Sequence, residues 1–202
     1  LPRLILQMAE VLFGLILFHL LFFRKFYFQN PYCYATSEPL EMEFPASRYL
    51  GEQLRQGRIP FHDPYHFPYF ASQPILQTFY PPNMLQAVIG SKLSVDSHWI
   101  LFTFVSLLHF LWASIGAYFL FNLHMGPFTA FFGAVTFAYM GYAIKQNAPI
   151  IHTLSWAPWF LFAASIHHPV LFGTTMGMGL LAGYWPIQLY LIPFACLYWL
   201  FS

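Results

Sequence analysis

The stretch at residues 99–121, WILFTFVSLLHFLWASIGAYFLF, decides the fold class of this chain. It contains no Asp, Glu, Lys or Arg, and its length exceeds the roughly 20 apolar residues that a helix needs to cross a bilayer. Its many aromatic side chains suit lipid and the lipid–water interface. We therefore predict a transmembrane helix over this stretch.

Similar apolar segments lie on both sides of it. We predict that they form further spans, at residues 4–23, 128–143, 149–166, 170–182 and 187–202. Because 170–182 is short and rich in glycine, it is either a tilted span or a re-entrant segment, and the total is five or six spans. The predicted fold class is an all-α integral membrane protein, built as a multi-span helical bundle.

The overall composition favours the same fold class. Of the 202 residues, 58% are hydrophobic and only 7% are charged, whereas a soluble domain carries about 25% charged residues. The net charge of +1 provides no basic face, so we expect no nucleic-acid partner. We expect a single membrane domain over residues 1–202 and, since the chain begins at Leu1 and stops within an apolar run, a piece of a longer protein.

The charged residues concentrate in the loop between the first two predicted spans, residues 24–97. All basic residues except Arg3 and Lys145, and all acidic residues except Glu10, lie in this loop. A segment that only connects two spans has no need of so much charge. The loop is therefore where we expect the polar chemistry of the protein.

The loop also contains signals for local structure. Residues 45–56 have the spacing of an amphipathic helix, and Gly57 is a plausible stop for it. The dense prolines of residues 59–82 forbid a long helix and favour an ordered, irregular path. Residues 83–90 then predict a second short helix that returns to the membrane.

Charge alone does not decide on which side of the membrane the loop lies. With six spans and a cytoplasmic N-terminus, the loop lies outside, together with the turns at 145–152 and 183–186. Arg24, Lys25 and Lys92 flank the loop, and the positive-inside rule would place it inside. That rule weakens for loops longer than about 60 residues, so the orientation stays open at this point.

Three carboxylates follow the first predicted span: Glu38, Glu41 and Glu43. At the membrane surface a carboxylate can act as a general base on an acceptor hydroxyl, or it can hold a divalent cation through its oxygens. A solvated acidic linker explains the same pattern without any chemistry. The residues alone leave these three interpretations open.

The proline-rich stretch contributes a second polar group: Arg58, His62, Asp63 and Gln73. Proline fixes backbone angles, so side chains between prolines can be held in place without a helix. The planar guanidinium of Arg58 suits an anionic headgroup or a phosphate. His62 and Asp63 are adjacent and point to opposite sides of an extended segment, so they are not a catalytic dyad. A rigid cap packed on the spans is the alternative interpretation.

His152 lies where a polar turn meets a predicted span, in the sequence HTLSWAPW at residues 152–159. An imidazole there can bind an anion or shuttle protons, while Trp156 and Trp159 are typical of an interfacial aromatic belt. Three further ionisable side chains lie within the first two predicted spans: Glu10, His19 and His109. Because such groups are costly in lipid, we expect them to face protein or water, with a structural partner rather than a catalytic role.

Taken in order, these motifs resemble those of the YfhO-type bacterial membrane proteins of the GT-C glycosyltransferase superfamily. That family has an acidic residue soon after its first span, then proline- and aromatic-rich loop motifs, and later His–Trp–Pro and Gly–Pro motifs. The matching positions run along nearly the whole chain: Glu38 with Phe44-Pro45, 57–65, Gln73-Pro74, 79–83, 152–158 and 181–186.

The resemblance implies a GT-C-like bundle with a large first extracytoplasmic loop that carries short helices. It implies transfer of a sugar from a polyprenyl-phosphate donor to an acceptor such as a cell-envelope polymer, at the bacterial cytoplasmic membrane. The acidic residue that acts as catalytic base or orients the acceptor corresponds to Glu38, with Glu41 or Glu43 as helper or cation ligand. The donor phosphate or the acceptor is then bound by the remaining polar residues: Arg58, His62, Asp63, Gln73 and His152.

The chain departs from the family pattern at three places. Glu38 stands where the family usually has Asp, and the added methylene moves the carboxylate by roughly 1 Å, enough to slow a tight site. His62-Asp63 replaces a Trp-Asn pair, and Tyr184-Trp185 replaces the His of a Gly-His-Pro turn. The alternatives are therefore a non-catalytic membrane scaffold or lipid-binding relative and, with poorer support from these apolar spans, a transporter.

Overall fold

The computed structural model describes residues 2–32, 43–59, 79–140, 148–183 and 185–201, and this part of the chain is α-helical without a β-strand. In chain order the helices are α1 (Pro2–Phe22), α2 (Arg24–Phe28), α3 (Phe44–Arg55), α4 (Pro81–Gly90), α5 (Val95–Asn122), α6 (Pro127–Ala138), α7 (Ala148–Leu154), α8 (Ala157–Ser165), α9 (Pro169–Leu181) and α10 (Trp185–Phe201). The prediction of an all-helical bundle is confirmed.

Helix α5 is the centre of the bundle. It begins where the Ser94 hydroxyl accepts a hydrogen bond from the Ser97 amide (3.2 Å), with Asp96 in its first turn. This cap adds a turn before the predicted start at residue 99. Helices α1, α4, α6, α7 and α8 all pack against α5. Among the described helices, α5 is the one that is long and apolar enough to cross a membrane.

The predicted span 149–166 contains two helices in the structure. It divides into α7 and α8, with a break at Ser155-Trp156. Pro158 explains the break, because it lacks the N–H that would bond to the carbonyl of Leu154 in an unbroken helix. Beyond the break, the Trp159 and Phe160 amides both bond to the carbonyl of Trp156 and start α8.

The other apolar helices are shorter than α5. Helix α6 ends at Ala138, before the predicted end at residue 143, and α9 and α10 begin within two residues of their predicted starts. Their crossing of a bilayer stays a prediction.

Large apolar side chains on the surface and polar side chains in the interior are both frequent in this bundle. Large apolar side chains are exposed on several helices, including Phe13 (67%), Phe128 (77%) and Leu200 (72%). The interior is mainly apolar, and it also holds a set of polar side chains: His19, Ser47, Gln86, His98, Thr103, His109, Ser114, His152, Thr153, Ser155 and Thr175. Bilayers favour this distribution, because their hydrocarbon accepts apolar surface and excludes polar groups.

Two short helices from the predicted loop pack on each other, and α4 packs on α5. Both were predicted from the sequence and are confirmed, α3 as Phe44–Arg55 and α4 as Pro81–Gly90. Gly57 ends the α3 segment with a positive φ of 71°, which glycine adopts without strain. Helices α3 and α4 are in close contact at Gly51. A Cβ at this position would overlap the backbone of Ala87, so only glycine fits there.

Candidate functional site

Tyr80 joins the predicted loop to the interior of the bundle. It lies immediately before α4 and is completely buried. Its hydroxyl is 2.6 Å from Nε2 of His109, in the middle of α5, and accepts a hydrogen bond from Nε1 of Trp156 at 2.8 Å. A side chain from the loop therefore meets one from α5 and one from the α7–α8 break at a single buried point.

The hydrogen bonds at this point have a fixed direction. Nδ1 of His109 is 2.7 Å from the carbonyl oxygen of Val105, which can only accept, so Nδ1 carries the proton. In the neutral imidazole Nε2 is then the acceptor, and the Tyr80 hydroxyl must donate to it.

The imidazole ring of His152 stacks on the imidazole ring of His109. The two ring centroids are 3.9 Å apart with an interplanar angle of 30°, and the Tyr80 ring is 5.7 Å from that of His152. His152 is only 2% exposed, yet neither ring nitrogen has a hydrogen-bond partner among the described residues. A buried polar group without a partner costs about 1–3 kcal/mol, so a fold that retains one calls for an explanation.

A small cavity borders His109. Its volume is about 20 Å³, enough for about one water molecule. The polar residues in its wall are His109 and Ser155, and the rest of the wall is apolar. The Ser155 hydroxyl already donates to the carbonyl of His152 at 2.7 Å, so the backbone around His152 is held in place while its ring nitrogens are not.

A second polar cluster lies where α3, α4 and the start of α5 meet. The Ser47 hydroxyl donates to Oε1 of Gln86 (2.9 Å) and lies 3.3 Å from Nε2 of His98. Since the hydroxyl proton is used on Gln86, the His98 nitrogen donates to Ser47. Nε2 of Gln86 and Nδ1 of His98 are buried without a hydrogen-bond partner.

A third cluster surrounds His19 in α1. Its Nδ1 is 2.9 Å from the Tyr139 hydroxyl, and its Nε2 is 2.7 Å from the Tyr27 hydroxyl. Both nitrogens are therefore satisfied. The prediction that His19 and His109 have partners within the protein is confirmed, and Glu10 is exposed on α1.

The predicted site residues fall into two sets. Five lie outside the described residues: Glu38, Glu41, His62, Asp63 and Gln73. Of the other three, Glu43 immediately precedes α3, Arg58 is exposed just beyond Gly57, and His152 is buried against His109. No hydrogen bond or ion pair joins these three among the described residues. Their predicted functional roles stay predictions.

The predicted divalent cation is likewise untested. The described residues contain no group of three His, Cys, Asp or Glu side chains placed to hold a metal ion. Of the carboxylates proposed as ligands, Glu41 lies outside this part of the chain and Glu43 lies within it.

Several residues in the buried clusters are absent from the predicted site, among them Tyr80, Trp156 and Gln86. Tyr80 has one local signal, its position directly before Pro81-Pro82 at a helix start, where its own conformation is restricted. Trp156 is predicted as part of an interfacial belt, but its indole N–H points inward to Tyr80. Gln86 has no local signal, because its partner Ser47 is far away in sequence.

We compared the chain with protein-family models, with curated proteins and with solved structures, and none of them matches.

Proposed function

We propose that this chain forms part of a GT-C-type membrane glycosyltransferase. It takes a sugar from a polyprenyl-phosphate donor and transfers it to an extracytoplasmic acceptor such as a cell-envelope polymer. In this proposal the protein is a multi-pass component of the bacterial cytoplasmic membrane, and the loop at residues 24–97 lies on the extracytoplasmic side. Its partners are the bilayer and the polyprenyl-phosphate-linked sugar.

The observation that carries the proposal is the meeting of two separate motifs at Tyr80. The aromatic–proline motif of the loop and the His152–Trp156 motif are joined by the hydrogen bond between Tyr80 and Trp156. His152, one of the residues proposed to bind substrate, lies directly beside this bond with both ring nitrogens unpartnered. A buried histidine without a hydrogen-bond partner calls for an explanation, and binding of a substrate group by His152 would supply one.

The membrane placement is supported by two further observations. Helix α5 is long and apolar enough to cross a bilayer, and its buried face holds His98, Thr103 and His109 while Phe104 and Leu108 are exposed. Such a distribution suits lipid outside and polar chemistry inside.

In the proposed reaction Glu38 is the base that takes the proton from the acceptor hydroxyl, with Glu41 or Glu43 as helper or cation ligand. Arg58, with its exposed guanidinium, and His152 serve the donor phosphate. Loop residues His62, Asp63 and Gln73 contact the donor or the acceptor.

The test is a transfer assay with the complete protein in membrane vesicles, using radiolabelled polyprenyl-phosphate glucose and polyprenyl-phosphate N-acetylglucosamine as donors. We expect Glu38→Gln to lower the transfer rate by about 100-fold or more, because the base is lost while the shape is kept. The matched control is Glu52→Gln, which changes an exposed glutamate of α3 and should leave the rate unchanged.

Full activity of the Glu38→Gln protein would exclude Glu38 as the base. If the unaltered protein binds the lipid-linked sugar without transferring it, the chain is a non-catalytic lipid-binding relative instead.

A further inference from the structure

We infer that α4 is a re-entrant helix, whose N-terminal end enters the bilayer to the depth of the middle of α5 and whose exposed face contacts lipid acyl chains. The inference rests on the membrane placement of the proposed function and adds a lipid-contacting element within the loop at residues 24–97.

The first argument is the alignment of α4 with α5. At one end Tyr80 hydrogen-bonds to His109, and at the other a Cβ on Gly90 would overlap the ring of His98. From His98 to His109 α5 rises about 16 Å, at about 1.5 Å per residue, and the 10 residues of α4 cover about 15 Å. The two helices therefore run antiparallel over the first half of α5, and α4 starts level with its middle.

The second argument is the surface of α4. The helix Pro81–Gly90 contains no charged residue. Its exposed side chains are apolar, Leu85 (63%) and Ile89 (45%), while its buried ones include Gln86. A helix lying between water and a protein core would have the opposite arrangement. The neighbouring helix α5 also exposes apolar side chains: Ile100, Phe104 and Leu108.

The third argument is the position of the charges. Arg55 donates to the carbonyl of Ser91 (3.4 Å), and Lys92 and Asp96 are exposed in and after the turn between α4 and α5. All three lie at the C-terminal end of α4. Because charged groups stay at the membrane interface, the C-terminal end of α4 lies at the interface. The uncharged N-terminal end of α4 then points into the bilayer.

The fourth argument is the chemistry of the α4 N-terminus. The first residues of a helix have amide N–H groups without partners inside the helix, and such groups are costly in hydrocarbon. In α4 the first two positions are Pro81 and Pro82, which have no N–H at all. The Met84 amide then bonds to the Tyr80 carbonyl (3.0 Å), and the Tyr80 hydroxyl is satisfied by His109 and Trp156. This helix start therefore presents fewer free N–H groups to an apolar surrounding than an ordinary one, with Asn83 as its one polar side chain.

Lipid is the occupant that these observations favour over a protein partner. The exposed side chains Leu85 and Ile89 are flexible aliphatic groups, and they carry no polar or charged group that would specify a protein partner.

The test measures depth directly. In the complete protein with Cys33→Ser and Cys196→Ser, a nitroxide is attached at Leu85→Cys, Ile89→Cys or Leu93→Cys, and the protein is placed in phosphatidylethanolamine–phosphatidylglycerol vesicles. Leu93 is the matched control, an exposed leucine (41%) in the turn beside Lys92. Collision rates with oxygen, which enters hydrocarbon, are compared with those of a water-soluble nickel chelate.

We expect the oxygen-to-nickel ratio to fall in the order 85, 89, 93, with about a tenfold difference between the ends, because the nickel chelate is excluded from hydrocarbon. Equal ratios at positions 85 and 89 would mean that α4 lies flat on the surface, and equal ratios at 85 and 93 would mean that it lies in water. Low collision rates with both reagents at position 85 would mean that protein covers this face. Each of these results would overturn the inference.

The measurement needs no transfer activity, so it separates the inference from the proposed function. A depth gradient in a protein that transfers no sugar would sustain the re-entrant helix and reject the enzyme. A protein that transfers sugar without a gradient would do the reverse.

Discussion

His19 and His152 are two histidines in the same bundle, each 2% exposed, and they differ in what surrounds their ring nitrogens. Both nitrogens of His19 contact tyrosine hydroxyls, from Tyr27 and Tyr139. Neither nitrogen of His152 has a partner among the described residues. The fold alone accounts for His19, because its hydrogen bonds tie α1 to the segment after α6. It does not account for His152, and that difference marks His152 as the functional candidate.

His109 makes the comparison sharper, since it stacks on His152 and is itself fully satisfied by Tyr80 and the Val105 carbonyl. One member of the pair is therefore locked in orientation and the other is held only by packing. Because hydrogen bonds fix the His109 ring, the neighbouring His152 ring can bind an incoming polar group without moving His109.

The largest effect is expected from removing Tyr80. The change Tyr80→Ala deletes a completely buried aromatic ring and leaves His109 and Trp156 without their shared partner. We expect the free energy of unfolding to fall by about 3–5 kcal/mol, as for other buried aromatic truncations. The measurement is unfolding of the purified protein in mixed micelles with increasing sodium dodecyl sulfate.

The control for this experiment is Tyr80→Phe, which keeps the ring and removes the hydroxyl. We expect a loss of about 1–3 kcal/mol, from the unpaired His109 nitrogen and indole N–H. If Tyr80→Phe is as stable as the unaltered protein, the hydrogen bonds of the Tyr80 hydroxyl with His109 and Trp156 add nothing to stability. The contribution of Tyr80 to stability is then due to the packing of its ring.

The comparison itself is tested by the same substitution at both histidines. We expect His19→Leu to lower the free energy of unfolding by about 1–3 kcal/mol, because two buried tyrosine hydroxyls lose their partner. We expect His152→Leu to have little effect on stability or to increase it, since it removes two unsatisfied nitrogens at similar volume. Both proteins are unfolded in the same micelles, and sugar transfer is assayed in vesicles.

The proposed role of His152 requires that His152→Leu lose transfer activity while it remains folded. A His152→Leu protein that is less stable than His19→Leu would show that His152 has structural partners beyond the described residues, and the distinction between the two histidines would collapse.

Much of the helical layout is predictable from local signals. Gly57 ends α3 because glycine adopts its positive φ without strain, and Pro127 starts α6 because proline fixes φ and has no N–H. Pro81-Pro82 starts α4 for the same reason, two residues before the predicted start. The long apolar run of α5 is equally local. The division of the predicted span 149–166 into α7 and α8 has such a signal in Pro158, but a proline inside an apolar run can either kink a helix or break it, and the packing of the neighbours decides.

The buried clusters are not predictable in this way. His109 and Tyr80 are far apart in sequence, and so are Tyr80 and Trp156, so their hydrogen bonds depend on how the helices pack. The sequence identifies His152 as a polar residue in an apolar setting, which is a property of one residue. Whether its ring nitrogens have hydrogen-bond partners depends on all the residues packed around His152, so this can be read only from the structure.

The smallest expected effect comes from the indole that supports Tyr80. Trp156→Phe removes one N–H donor, and we expect a loss of about 1 kcal/mol. Trp159→Phe is the matched control, because the Trp159 indole donates to the carbonyl of Trp112 (3.0 Å) and has no bond to Tyr80. Combined with Tyr80→Phe, only Trp156→Phe should be non-additive, with a coupling free energy of about 1 kcal/mol, since residues that share a hydrogen bond couple and separate ones do not. Equal coupling free energies for both tryptophans would mean that Tyr80 is coupled to the packing around α8 in general and not to Trp156 through a specific hydrogen bond.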